Sequence, residues 1–144
     1  MVPGDLNQDK ETVFSRLIIN TVEKMSPELK GWVKKKIRFG FPNKKGNVAC
    51  TLTKNDLKHY EAVIYLFDDL LAEKEWVQEY FLLHEIAHAK LKHTCQVDAE
   101  KENKEEDEAH ALAWQLWKKM RTADQIKEQR TDIERRTGRW KNKE

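Results

Sequence analysis

The sequence predicts an α+β domain: an N-terminal helix, a small twisted three-stranded sheet, a central helix, a glutamate-bearing helix and a charged helical tail. Three observations predict it. Val13, Phe14, Leu17, Ile18, Val22 and Met25 recur at helical spacing. Ile37, Phe39 and Phe41, and then Val48, Cys50 and Leu52, alternate with the period of a strand. The stretch from about Glu73 to about His93 is apolar on two opposite sides when wound as a helix, which marks a segment sandwiched between layers.

Taken in order, Asp9 is placed to cap the first helix, and "MSPELKGW" is expected to end it. The two alternating segments are joined by "PNKKGN", a turn-rich connection that suggests a hairpin. "EAVIYLF", Glu61 to Phe67, is continuously apolar and reads as a third strand. The central helix follows. Its face made of Val77, Tyr80, Phe81, His84, His88 and Leu91 lies nearly opposite Leu82, Ile86 and Ala89. After an acidic run from Gln96 to Glu108, a helix emerges with Ala109, Leu112, Ala113, Leu116, Trp117 and Met120 as its inward stripe. From Arg121, Thr122 caps a helix with only Ile126 and Ile133 regularly spaced. That helix is expected to be solvated and to run into the frayed basic end "RRTGRWKNKE". The organisation is therefore one domain over 1–120 and a charged tail over 121–144.

Bulk properties narrow the function. A chain of 144 residues suits one core. With 36% charged residues and 39% hydrophobic ones, that core sits under a heavily charged surface. A formal net charge of +2 gives no global field for nucleic acid or an anionic membrane. Only the stretch from Arg121 has a local excess, with eight Lys and Arg against five acids, and a solvated terminus accounts for it. "MVPGDLNQDKETVF" lacks a basic-then-apolar leader and no run is apolar enough to span a bilayer, so a soluble cytoplasmic protein is expected. Cys50 and Cys95 have no paired spacing and read as free thiols.

The chemistry is concentrated in "FLLHEIAHAKLKH", Phe81 to His93. Residues four apart on a helix stand one above the other, so His84 and His88 can aim imidazole nitrogens at one point. Glu85, rotated roughly 100° from His84, stands beside that point. A catalytic zinc needs three protein ligands and an open position for water, whose pKa it lowers to about 7. Glu85 would take the water's proton and later give it to the leaving amine. Such a pattern also occurs in helices that hold no metal. Here both histidines share a face with Val77, Tyr80, Phe81 and Leu91, where unpaired imidazoles carry a desolvation cost.

The third ligand must come from elsewhere. On a continuing helix His93 is rotated roughly 140° from His88, and Leu91 stands where a helix-ending glycine would be needed, so a three-histidine metzincin pattern fails. Within the acidic run, Glu105 and Glu106 both point roughly inward from the stripe. Most of the other carboxylates suit a solvated helix start. His110 lies roughly 90° off that stripe. Tyr80, one turn before His84, reads as a packing aromatic, and His59 as a surface residue.

"HEIAHAKLKH" followed by "EEDEAHALAWQL" resembles the small gluzincin-type metallopeptidases, nearest to the ImmA/IrrE-like family. The likeness is tightest over Phe81 to His93 and Glu106 to Leu116, and loosely covers residues 9 to 120. It implies a minimal zincin-like fold, zinc held by His84, His88 and Glu106, and Glu85 as general base. The implied activity is hydrolysis of peptide bonds in a protein or peptide substrate by an HExxH metalloprotease. His110 stands where that family often carries Asn or Asp, and Trp117 replaces its usual ending. The SprT-like proteases are a second neighbour; their histidine third ligand keeps His93 and His110 in view. The same resemblance admits a second function, a non-catalytic zincin-like binding or regulatory module. In zincins a sheet strand holds the peptide, and "EAVIYLF" is the candidate by its apolar character.

Overall fold

Phe14, Leu17 and Val22 turn one stripe of the first helix, α1 (Pro3–Glu23), into the core, where the Phe14 ring stacks on Phe41 with centroids 5.4 Å apart. The computed structural model describes residues 3–42, 48–52, 62–92 and 99–137. After α1 come α2 (Pro27–Lys36), β1 (Ile37–Gly40), β2 (Ala49–Leu52), β3 (Ala62–Leu66), a 3-10 turn (Asp68–Ala72), α3 (Glu75–Lys90), α4 (Ala99–Lys119) and α5 (Ala123–Thr137). The fold is α+β. Among the described residues no helix is long and apolar enough to cross a membrane.

Two expectations about the first half need correction. "MSPELKGW" does not only end a helix; it starts another. The Ser26 hydroxyl accepts from the Leu29 N–H at 3.3 Å and Pro27 occupies the first turn, where a missing N–H costs nothing. Val33 anchors this short helix in the core, and Lys34, Lys35 and Lys36 suit the negative end of its dipole. α1 itself begins at Pro3, before Asp9.

The second correction concerns the hairpin. The strands lie in the order β1-β3-β2, so the two alternating segments flank β3 and do not pair with each other. β1 runs parallel to β3 in the register Ile37↔Ala62, and β2 runs antiparallel to it in the register Ala49↔Leu66. Alternation reports that a strand has one wet and one dry face; it does not name the partner. The continuous apolar run marks the strand that needs neighbours on both sides, and Ala62, Ile64 and Leu66 are fully buried. Gly40, opposite Tyr65, is required by close approach: a Cβ there would stand 2.9 Å from the Tyr65 ring.

The central helix is sandwiched as its pattern predicts. Tyr80, Leu82, Leu83, Ile86 and Ala87 are fully buried, with α1 and the sheet on one side and α4 on the other. α3 stops at Lys90, short of His93, and Lys92 takes the left-handed conformation (φ 59°) that commonly closes a helix. His93, Cys95 and His59 lie outside the described residues, as does the end from 138 with Trp140.

α5 is docked, against the expectation of a solvated helix. Ile133 is fully buried, Asp132 accepts from the Trp76 indole at 2.8 Å, and the Arg136 guanidinium lies over the Phe81 ring. Its capping is as expected: the Gln125 N–H donates to the Thr122 hydroxyl and the Thr122 N–H to the Gln125 side chain. Sparse apolar spacing hid the docking because the contacts are made by polar tips and by single anchors.

Candidate metal centre

α3 and α4 pack along each other, and their contact positions the site. Ala109 and Ala113 are fully buried and small, which lets α4 approach α3 closely. Trp114 and Trp117 stack at 5.1 Å beside them, and the Trp117 indole donates to the Trp76 carbonyl. The buried face of α4 is therefore Ala109, His110, Ala113, Trp114 and Trp117, with Leu112 and Leu116 only partly covered. Relative to the stripe read from sequence, that face is turned by roughly 60° toward His110. Glu106 falls near its centre.

Three potential ligands converge as a result. One donor atom each from His84, His88 and Glu106 lies within 4.8 Å of the others. His88 Nε2 stands 2.8 Å from Glu106 Oε1, and His84 Nε2 stands 3.3 Å from Glu106 Oε2. The second contact lacks hydrogen-bond alignment, so His84 Nε2 is a buried nitrogen with no hydrogen-bond partner among the described residues. Such an atom carries a desolvation cost unless something occupies it. Two imidazole nitrogens and a carboxylate form a donor set that suits zinc. Glu105, the other carboxylate read as inward, is not in this group.

Glu85 and Thr51 form the layer behind. Glu85 Oε2 is 3.1 Å from His84 Nδ1, and its Oε1 is 2.7 Å from the Thr51 hydroxyl, which also lies 3.1 Å from the Glu85 carbonyl. A carboxylate on Nδ1 keeps the proton there and turns the Nε2 lone pair toward the ligand cluster. Thr51 escaped the sequence reading because a β2 residue and a helix residue 34 positions later share no local pattern.

His110 and Tyr80 complete the surroundings. His110 is 7% exposed; its ring stacks on His84 with centroids 4.0 Å apart, and its Nε2 lies 3.6 Å from Glu106 Oε2. The Tyr80 hydroxyl is 2.7 Å from His110 Nδ1, so Tyr80 packs as expected but also bonds. The burial of His110 went unread because the stripe of α4 was centred on Leu112 and Leu116 rather than on the two tryptophans.

The electrostatics favour a proton on His84. Burial alone would lower the His84 pKa, but the Glu106 and Glu85 carboxylates outweigh it and raise it to about 9. Burial would raise Glu106, and the His84 and His88 imidazoles instead hold it well below the usual carboxylate range. No family model matches the chain, and neither a curated protein nor a solved structure matches it.

Proposed function

We propose that this chain is a zinc-dependent metallopeptidase built on a minimal gluzincin-like scaffold, as its likeness to the ImmA/IrrE-like family implies. The observation that carries the reading is the convergence of His84, His88 and Glu106, with a buried His84 Nε2 that has no hydrogen-bond partner among the described residues. Those three residues hold the metal. Bound there, zinc supplies Lewis acidity, polarising a carbonyl and acidifying water. Glu85, next to His84 in sequence and in space, takes the proton of the attacking water and delivers it to the leaving amine. In the present arrangement both Glu85 oxygens are engaged, by Thr51 and by His84, so a torsion of Glu85 precedes proton transfer.

The peptide-binding strand is reassigned. β3, expected from its apolar character, is central, whereas β2 flanks it and reaches Glu85 through Thr51. An extended substrate adding to β2 by backbone hydrogen bonds would lie next to the base.

The engagement of Glu85 with His84 Nδ1 also favours a second reading, in which Glu85 only orients its neighbour and the chain is a zinc-holding binding module. Glu85→Gln separates the two. For a peptidase, the variant keeps its zinc and loses cleavage of a fluorogenic peptide library by about a thousandfold or more, given that acid–base catalysis contributes on the order of 10²–10⁴. A wild-type protein that holds zinc yet cleaves nothing in that library, with cellular function intact in the variant, supports the module.

A further inference from the structure

Among the described residues Glu106 has three partners: His84, His88 and His110. The first two face its carboxylate in this structure, His88 Nε2 at 2.8 Å from one oxygen and His84 Nε2 at 3.3 Å from the other. Under the reading of the site given above, on which this inference rests, both imidazoles turn their Nε2 lone pairs to the metal and have no proton left there to donate. Glu106 would then have His110 as its remaining partner among the described residues, and it is the most exposed of the three, with 31% of its side chain accessible against 9% for His84 and 14% for His88. Its three side-chain torsions make it the ligand with the most conformational freedom to lose.

His110 is built to take over. It follows Glu106 by one helical turn, so both side chains project from the same side of α4. Its Nε2 faces Glu106 Oε2 at 3.6 Å, longer than a hydrogen bond by about half an ångström. At the other end of the ring, Nδ1 is 2.7 Å from the Tyr80 hydroxyl, while the other acceptor that hydroxyl reaches, the His110 carbonyl, is at 3.5 Å. With Tyr80 as the donor in the shorter contact, the His110 proton lies on Nε2, pointing at the carboxylate, a tautomer that Tyr80→Phe tests. Tyr80 is fully buried on α3, and its ring, that of His110 and that of His84 are nearly parallel, so the hydroxyl has little freedom to turn elsewhere.

We propose that His110, held in one tautomer by Tyr80, is the positioning residue for Glu106: it donates its Nε2–H to the carboxylate of the metal-bound protein and is not itself a ligand. Support of this kind is worth roughly ten- to a hundredfold in metal affinity.

The test measures zinc affinity by competition with a chelating dye, together with visible spectra of the cobalt-loaded proteins, for wild type, His110→Leu, His110→Gln and Tyr80→Phe. His110→Leu should weaken zinc by about ten- to a hundredfold and Tyr80→Phe by about three- to tenfold. His110→Gln, whose amide N–H replaces Nε2–H, should stay within about threefold of wild type, a rescue that simple loss of packing would not give. The cobalt bands should keep their position and intensity in every variant. Wild-type affinity in His110→Leu overturns the proposal, and so does a cobalt spectrum showing a lost ligand, which would make His110 a fourth donor. If His110→Leu does not fold, Tyr80→Phe decides, and unchanged zinc affinity there overturns it. A wild type that takes up no metal defeats the site reading and this inference together; tight wild-type binding with indifferent variants defeats the inference alone.

Discussion

α3 carries two buried polar clusters, and they are satisfied in opposite ways. On one face Glu79 is 2% exposed; Arg121 Nη2 stands 2.7 Å from one of its oxygens and Lys24 Nζ 2.8 Å from the other, with the Thr21 hydroxyl at 3.4 Å. Rotated roughly 140° round the helix, His84 joins His88, Glu106 and His110 in a cluster where one ligand atom each from His84, His88 and Glu106 lies within 4.8 Å of the others. The Glu79 cluster has cations supplied by the chain, Lys24 and Arg121, and it ties the end of α1, α3 and the connection between α4 and α5 together. Among the described residues the histidine cluster has no Lys or Arg paired with Glu106. A buried carboxylate among fixed cations is a fastener; a half-buried carboxylate among imidazoles is a group that could hold a metal ion.

That contrast can be broken by mutation. Glu79→Ala leaves the Arg121 guanidinium, only 7% exposed, without its counter-charge, and the loss of one partner of a buried pair costs about 3–5 kcal/mol. Chemical denaturation should show this loss equally with and without zinc, while zinc stoichiometry stays at the wild-type value. Loss of zinc binding in Glu79→Ala, with the fold intact, would mean that the two clusters are not separable.

The histidine cluster should respond to ligand where the other does not. A saturating metal raises stability by about 2.7 kcal/mol at a hundredfold excess over Kd. Thermal unfolding with added zinc should show that gain in wild type and none in His88→Ala.

Acidity distinguishes the clusters next. In the metal-free protein the folded pKa of His84, about 9, exceeds its ordinary value of 6.5. The stability contributed by that proton is fully present below pH 6.5 and is lost as the pH rises through 9. The lowered pKa of Glu106 works in the other direction: its contribution is present above the ordinary 4.5 and is lost as the pH falls through its folded value. Metal-free wild type should therefore be steadiest between these limits, and the alkaline decline should vanish in His84→Gln.

The smallest effect is expected at Thr51. Thr51→Val removes the hydroxyl that accompanies Glu85, at a cost of about 1 kcal/mol to stability. Zinc affinity should not change, while the rate of any cleavage should change because one Glu85 oxygen has lost the hydroxyl that holds it.

What could be read in advance follows from the range of each signal. His84, Glu85 and His88 were legible because their relation is written within one helix, where spacing is geometry. Glu106 was legible only to within a residue, since on a stripe drawn through Leu112 and Leu116 Glu105 is the more inward of the two, within roughly 20° of both leucines. The decision rests on where Trp114 and Trp117 seat α4, which is a matter of packing against Trp76 and α5. The strand order was hidden for the same reason: Ile37, Phe39, Val48 and Leu52 declare strands, but only the long-range pairing of each with β3 sets them to either side of it. Ser26-Pro27 was a readable start signal, passed over because Pro suggests an ending until its place in the first turn is considered. The docking of α5 through Asp132, Arg136 and Ile133 left almost no periodic trace.

The most direct test of the account is the metal content of the purified protein after exposure to excess zinc and gel filtration, measured by elemental analysis for wild type, His84→Ala and Glu106→Ala. The account predicts about one zinc ion per wild-type chain and roughly a tenth or less in either variant that remains folded. A folded wild type that retains no zinc, or variants that retain as much as it does, would contradict it.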